Sequence, residues 1–589
     1  MTQNFERILN FPIEIEKIEE ENFNEYSIIK LPELEENENE IINPLIPPTS
    51  GLRMKIFECV ENKYILTKRN LFRFLRVIKS ISVVGKKELN NPSPSILIVG
   101  DDRPSTEILI DYATRIFSYE NYKIFYQKGE GEIIKNHSYI RGKSKMSSPY
   151  ASASIALFND IDMVLMITAS HNSLIWNGLK FYIKRPIPIS GGVMKTVSEY
   201  ALSLKQIAFN NSPRSIEIDA DEKNNQYIKN LLTKIIDTSV LNGKTILLWP
   251  FLGAAPELIN LFKSFGANIE LIDESRNPPD PTVNVDSEKI KNIMKEKNIK
   301  IAILLDADRD RVVFYVKSKN EFIELSPNEL YTSMMNIIST KLKKKFINVR
   351  TIPSDPGCDK NASLNFITGV GYKDLGLIQY MLVNKSIPTS QLESAILYYL
   401  KDGQYIKIHS YDDVSKIINE NKLNGDYITV LWEESGGHTF NILYTSIEND
   451  KIILNSDFPV IGDKYPAVAI VVLCCLLEMG YDLTDYIDKN IKGSRTTIKA
   501  NDEEKIKYIN YFKEMMNKEI EINNIKYKIG AFSDLSNNIS IIQLKSNKSE
   551  IFIRPSGTGD EIRIYIFGDR SSYQSELENI ATELKKIKF

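Results

Sequence analysis

From Thr245 to Val316 the chain repeats a pattern that a layered α/β fold satisfies. Strand-like apolar runs at Thr245–Trp249, Asn268–Ile272 and Ile299–Leu305 alternate with two amphipathic segments. One carries Leu258, Ile259, Leu261, Phe262 and Phe265, the other Ile290, Ile293 and Met294. Helical periodicity between short apolar runs is the signature of a doubly wound parallel sheet. The third run loses alternation toward its end, as a strand covered on both faces does. It stops at Asp306–Ala307–Asp308–Arg309–Asp310–Arg311 before Val312–Val316 resumes the apolar pattern. Such strand ends are where α/β proteins bind ligands.

Three carboxylates at i, i+2 and i+4 in a tight loop offer hard oxygen ligands to one small divalent cation, most plausibly Mg²⁺. An EF-hand loop needs Gly at its sixth position and Glu at its twelfth, and Arg311 and Lys317 stand there. A solvated acidic turn fits poorly between two buried strands. A second apolar run, Val164–Ile167, ends at Thr168–Ala169–Ser170–His171–Asn172. Ser170 is therefore a candidate nucleophile, though not in a nucleophile elbow, which needs Gly two residues either side. Taken alone, the segment could equally be a polar loop closing a strand.

Two more segments suit a phosphorylated polyol. Glu433–Glu434–Ser435–Gly436–Gly437–His438 combines acceptors and a hydroxyl with a backbone that can approach a ligand closely, which suits vicinal sugar hydroxyls. An ordinary Gly-rich turn would explain it as well. Arg554–Pro555–Ser556–Gly557–Thr558–Gly559, followed by Arg563, offers guanidinium forks and an anion nest. It lacks the Lys and spacing of a nucleotide P-loop.

These segments, in this order, resemble the α-D-phosphohexomutase superfamily of phosphoglucomutases and phosphomannomutases. The likeness runs from Thr49 to Tyr565. Thr49–Ser50–Gly51–Leu52–Arg53 is similar to the family's first active-site loop, and Val99–Gly100–Asp101–Asp102–Arg103 to its first-domain strand ending. Asn177–Gly178–Leu179–Lys180–Phe181 resembles the segment with a catalytic lysine. Thr368–Gly369–Val370–Gly371–Tyr372–Lys373 resembles the third-domain loop that orients the sugar. The chain departs from the family's pattern at Ser173 (usually Pro), at Leu252–Gly253–Ala254–Ala255 (often His-Gly) and in the position of His438. About sixty residues separate Lys373 from Glu433, more than relatives carry, which reads as an insertion at about 380–425.

The resemblance implies an isomerase that moves phosphate between the two ends of a hexose. Ser170 would carry the phosphoryl group, with Asp306, Asp308, Asp310 and Ser170 itself holding Mg²⁺. Lys180 and Arg53 would assist transfer, and His171 would hydrogen-bond beside the serine or act directly. Glu433, Ser435, Thr368, Gly369 and Lys373 would hold the sugar phosphate. Arg554, Ser556, Gly557, Thr558 and Arg563 would grip the distal phosphate, and Arg311 would neutralise the carboxylates or touch the phosphoryl group. Asp101 and Arg103 would brace the first domain. A hexose 1,6-bisphosphate would serve as intermediate and activator. Glucose phosphate is the leading substrate, with phosphomannomutase, dual-specificity and phosphopentose activity as alternatives. Amino-sugar phosphates rank last, because about 120 residues separate Arg53 from Ser170. An aspartyl-nucleophile phosphatase is disfavoured by Asp310 where that class has Thr or Val. The remaining alternative is a non-catalytic regulatory descendant.

Length and charge agree. At 589 residues the chain has room for about four domains, and the resemblance implies three related doubly wound α/β domains plus a C-terminal α+β domain around a central active-site cleft. The expected divisions are an acidic N-terminal extension (1–45), domains at 46–212, 213–320 and 321–490, and a fourth at 491–589. Within the extension, Glu33 to Glu40 reads as a solvated excursion, with a short docking helix as the alternative. A net charge of −3 argues against nucleic-acid or anionic-membrane partners. The longest apolar run, Ala467 to Leu477, is too short for a bilayer and reads as a core helix. Cys59, Cys358, Cys474 and Cys475 lack zinc or redox spacing and read as reduced, buried residues of a cytoplasmic protein. No secretory leader is recognisable, and a monomer or weak homodimer is expected.

Overall fold

The computed structural model describes residues 5–43, 51–132, 140–385, 387, 389–557 and 560–586. Thr49, Ser50, Thr558 and Gly559 lie outside them. Three successive α/β units are built on one plan. In the first, the sheet order is Ser215–Ile218, Lys123–Gln127, Ser95–Gly100, Met163–Ile167, Trp176–Ile183, Leu52–Lys55. The first four strands are parallel and the last two antiparallel. In the second, Asn268–Leu271, Thr245–Pro250 and Ile301–Leu305 run parallel, and Val312–Ser318 and Glu321–Leu325 follow antiparallel. The third has seven strands around the parallel trio Leu364–Thr368, Phe346–Thr351 and Asp426–Trp432.

One consequence of this plan positions the site. Each unit's last parallel strand turns directly into an antiparallel partner: Met163–Ile167 into Trp176–Ile183, Ile301–Leu305 into Val312–Ser318, and Asp426–Trp432 into His438–Glu448. The serine segment, the carboxylate segment and the Glu433–Gly437 segment are the three equivalent turns between them. The strands before the first two turns are buried along their whole length, which explains why their sequences read as continuous apolar runs.

The fourth unit changes architecture. Six antiparallel strands lie in the order Ile491–Lys499, Glu561–Asp569, Ser549–Pro555, Ile539–Lys545, Ile525–Ser533, Glu519–Ile522. Helices Asp502–Glu514 and Tyr573–Lys586 cover one face and complete its own core. The helix Pro466–Glu478 is buried along nearly its whole length, as its composition requires, and no helix among the described residues is long and apolar enough to cross a membrane.

Several expectations need correction. The Glu33–Glu40 stretch is not a solvated excursion: Glu36–Ile42 forms a helix, and the buried Glu38 carboxylate meets Arg69 Nε and Arg73 Nη2, each at 2.7 Å. The compensating charges come from the helix Lys68–Leu89, so local composition could not reveal them. Within the segment expected as an insertion, Gln391–Tyr399 is helical only as far as Glu393. A short turn of helix ends at Glu393, and Leu397–Lys401 pairs with Gln404–Lys407 as a hairpin on the third sheet. The helix expected at Asp412–Asn421 is present as Tyr411–Glu420, and His409 is exposed. All four cysteines are free, but Cys59 is exposed rather than buried.

Candidate active site

Ser170 follows its strand in the left-handed region, at φ 53°. This is a costly conformation for a residue with a Cβ, and surrounding bonds must hold it. Its N–H donates to Thr168 Oγ1 (2.8 Å), and Thr168 in turn donates to Asp101 Oδ2 (2.7 Å). The Arg103 guanidinium, fully buried, donates to Asp101, to the Ser170 carbonyl and to the Ser173 carbonyl. Asp101 and Arg103 thus brace the turn from behind, as expected. Gly178 is required here, because a Cβ would lie 2.4 Å from Leu52 O and 2.6 Å from Thr168 O.

The Ser170 hydroxyl donates to Asp306 Oδ2 across 2.8 Å and 136 residues of sequence. Asp306 Oδ1 accepts the N–H groups of Asp310 and Arg311, both at 3.1 Å, which curls the loop around it. Lys180 Nζ donates to Asp308 Oδ2 (2.7 Å) and Asp310 Oδ2 (2.8 Å). Carboxylate oxygens of Asp306, Asp308 and Asp310 lie within 4.8 Å of one another. Asp308 Oδ1 is buried with no hydrogen-bond partner among the described residues. Three convergent hard oxygens, one of them lacking a donor, fit a small divalent cation.

Electrostatics divide the three carboxylates. Burial, then the charges of Asp308 and Asp310, raise Asp306 well above the ordinary range. Burial opposes ionisation of Asp308 and Asp310 too, but Lys180 holds both below that range, aided at Asp310 by Lys464 and Arg311. Lys180 gains correspondingly: burial works against its charge, yet the two aspartates raise its pKa. His171 Nδ1 lies 3.3 Å from Ser170 Oγ. Burial, then Arg311 and Arg53, push its pKa far down, so the ring is neutral.

Of these groups His171, Lys180, Asp310, Arg311, Arg53 and Lys464 line a cleft of about 310 Å³ between the four units, with Ser170, Asp306 and Asp308 buried behind them. Arg53, Arg311, Arg554 and Arg563 face it, as do Glu433, Ser435, Ser556 and Gly557. Glu433 accepts from Ser435 Oγ at 2.7 Å. Arg554 and Arg563 are cross-strand neighbours near one sheet end, and both line the cleft. An excess of cationic side chains in a confined space is what a phosphate ester needs.

Three expected residues stand elsewhere. Thr368 is buried, its hydroxyl bonded to Gly369 O, and Gly369 packs against the Asp374 carboxylate. Lys373 faces a neighbouring chamber of about 620 Å³ between the third and fourth units, which shares Val370, Arg554 and Gly557 with the cleft. His438 lies behind the sugar-binding turn, stacked on Tyr331 with ring centroids 4.8 Å apart, and burial holds its pKa down at about 3. Sequence reasoning missed Lys464. Its ammonium sits 3.0 Å from Glu433 Oε1 and 3.5 Å from Asp310 Oδ1, joining the sugar-binding turn to the carboxylate loop. Its one signal was a charged pair, Asp463–Lys464, immediately before the apolar helix. Arg495, which meets Glu434 Oε2 at 3.1 Å, was also missed.

Residues 46–207 match the family described as phosphoglucomutase/phosphomannomutase, alpha/beta/alpha domain I. A protein named phosphoglucosamine mutase from Dictyoglomus thermophilum is 28% identical over 176 residues, which is 29% of this chain and 38% of that protein. The chain therefore spans little more than a third of that relative's length. The structure of pp63/parafusin (phosphoglucomutase) from Paramecium, in an open form, is similar at 14% identity. It covers 95% of this chain and 97% of that one, with a TM-score of 0.61. A phosphoglucomutase/phosphomannomutase family protein from Burkholderia thailandensis is similar at 12% identity over 93% and 97%, with a TM-score of 0.58. At such identities these two structures bear on the fold, and they share it end to end.

Proposed function

We propose that this chain is a member of the α-D-phosphohexomutase superfamily, whose first-domain model matches residues 46–207, and that it interconverts hexose 1-phosphate and hexose 6-phosphate, with glucose phosphates as the leading substrate. The observation that carries the reading is the 2.8 Å contact from Ser170 Oγ to Asp306 Oδ2. It sets a hydroxyl against a carboxylate triad, buried just behind a cleft that Asp310, Lys180, Arg53 and Arg311 line.

In the proposed cycle Ser170 carries the phosphoryl group at rest. The sugar's free hydroxyl attacks phosphorus, a new P–O bond forms, the P–Oγ bond breaks, and the hydroxyl's proton passes to the departing Ser170 Oγ, a transfer that Lys180 and Arg53 would assist. A hexose 1,6-bisphosphate results, turns end over end, and returns its other phosphate to Ser170. Asp306, Asp308, Asp310 and the seryl phosphate would hold Mg²⁺, which supplies charge neutralisation at the transferring group when bound. Lys180, kept protonated by Asp308 and Asp310, acts as a hydrogen-bond donor, and Arg53 adds a second positive charge. His171, neutral, would donate from Nδ1 to Ser170 Oγ, whose own proton goes to Asp306. Glu433 and Ser435 hold sugar hydroxyls while Arg554, Ser556 and Arg563 grip the distal phosphate. Positioning and electrostatics supply most of the rate in such transfers.

A coupled assay with Mg²⁺ and trace hexose 1,6-bisphosphate tests the reading. Glucose, mannose, glucosamine and ribose phosphates are offered in parallel. The glucosamine arm is included because a relative bears that name. Turnover that Ser170→Ala abolishes, with phosphate found on Ser170 of the resting protein by mass spectrometry, is expected. No turnover of any sugar by protein unphosphorylated at Ser170 would favour the regulatory descendant.

A further inference from the structure

We infer that Arg309 is a positioning residue that clamps the carboxylate loop to the first two units and so sets its affinity for the cation. The inference rests on the reading of Asp306–Asp310 as the metal loop.

Arg309 lies between Asp308 and Asp310, and its backbone is left-handed at φ 60°. A residue with a long side chain is strained there, so something must over-determine the conformation. The side chain supplies it. It turns away from the cleft and is almost entirely buried, with Nε 2.6 Å from Glu257 Oε1 and Nη1 3.7 Å from Asp102 Oδ2. Glu257 is in the first turn of the helix Pro256–Ser264 in the second unit. Asp102 belongs to the strand-end loop of the first unit, next to Arg103, which holds the Ser170 carbonyl. One guanidinium therefore links the second unit's helix and the first unit's serine support to the segment that carries Asp308 and Asp310.

The surroundings are shaped for this contact. Gly253 adopts φ 73°, and a Cβ there would stand 2.2 Å from Asp102 Oδ2 and 3.5 Å from Arg309 Nη1. Glu257 is itself 1% exposed, so its carboxylate depends on Arg309 for charge compensation, and removing either partner leaves a buried charge. The loop backbone turns at Arg309, so loss of the clamp lets Asp308 and Asp310 drift apart. Ligand geometry of a small cation tolerates little of that.

The test is Mg²⁺ affinity of the full chain by calorimetric titration, beside mutase kinetics. Arg309→Gly keeps the left-handed backbone unstrained while deleting the clamp; because it also leaves Glu257 buried and unpaired, it is made in the Glu257→Gln background as well, and melting temperature is read for each variant. The Mg²⁺ affinity of Arg309→Gly is expected to fall about tenfold, with kcat reduced at sub-saturating Mg²⁺ and KM for the sugar phosphate within twofold. Glu257→Gln should move in the same direction by a smaller factor, and Arg309→Lys should recover part of the loss. Unchanged Mg²⁺ affinity in Arg309→Gly and Glu257→Gln would overturn the clamp while leaving the metal loop standing. Absence of Mg²⁺ binding to the unaltered chain would overturn both.

Discussion

The seam between the first three units and the seam that attaches the fourth are built differently. One core cluster runs without a break through Val99 and Met166 of the first unit, Ile303 and Leu305 of the second, and Met334, Val430 and Val471 of the third. Across that seam also lie the Ser170–Asp306 bond and the Arg309 ion pairs. The fourth unit has its own core, from Ile498 to Leu584. It meets the rest through a smaller patch in which Ile396 and Tyr398 pack with Phe532, Ile541 and Phe552. Lys407 adds bonds to Ser533 Oγ (3.0 Å) and Asp534 O (2.7 Å). Two units that share a core cannot shift without exposing it, whereas units with separate cores and a modest interface can pivot. The nucleophile and carboxylates therefore stand on the rigid side. Arg554 and Ser556, proposed to grip the distal phosphate, stand on the side that can pivot, which suits the proposed cycle, in which an intermediate turns over.

The insertion belongs to this contrast. Its hairpin supplies Tyr398, Tyr405 and Lys407 to the movable seam, with Tyr405 Oη donating to Glu550 Oε1 at 3.2 Å. The segment expected as an insertion therefore contributes contacts to the fourth unit.

The sharpest way to break the comparison is at the rigid seam's chemistry. Ser170→Ala and Asp308→Asn should each lower kcat by at least about 1000-fold in the coupled assay, with melting temperature nearly unchanged. A milder result would mean that the two turns are not one site. Next in size, Leu305→Ala should cost about 2–5 kcal/mol and lower a single calorimetric transition that unfolds all three α/β units together. Phe512→Ala should lower only the transition of the fourth unit. Joint melting after both substitutions would erase the distinction between the seams.

Smaller still, Lys407→Ala should loosen the fourth unit by about 1–2 kcal/mol, read as faster amide exchange in Ile525–Ser533 with the Met163–Ile167 strand unaffected. The smallest effect concerns His438, inside the rigid body. Its folded pKa, about 3, lies below the ordinary value near 6.5. Between these pH values the unfolded chain takes up a proton that the folded chain refuses. Stability is then lost as pH falls, at up to about 1.4 kcal/mol per pH unit. The ring nitrogens make no hydrogen bonds among the described residues, so His438→Phe should flatten that slope in urea titrations between pH 4 and 6.

The sequence by itself marked the α/β units, the change to an α+β tail, and the residue types gathered at each turn. Hydrophobic period and local residue type carry that information: Ile301–Leu305 reads as a buried strand before any partner is known, and Asp306, Asp308 and Asp310 sit close in sequence. Tertiary structure alone decided which turns face one another. It set Asp306 against Ser170, brought Lys464 to Glu433, drew Thr368 out of the cleft, and buried Glu38 and Glu257 beside arginines from distant helices and loops. Periodicity says that a side chain is covered, but not by what. A charge 136 residues away in sequence changes a carboxylate's energy only once folding has brought the two together in a medium from which water is excluded.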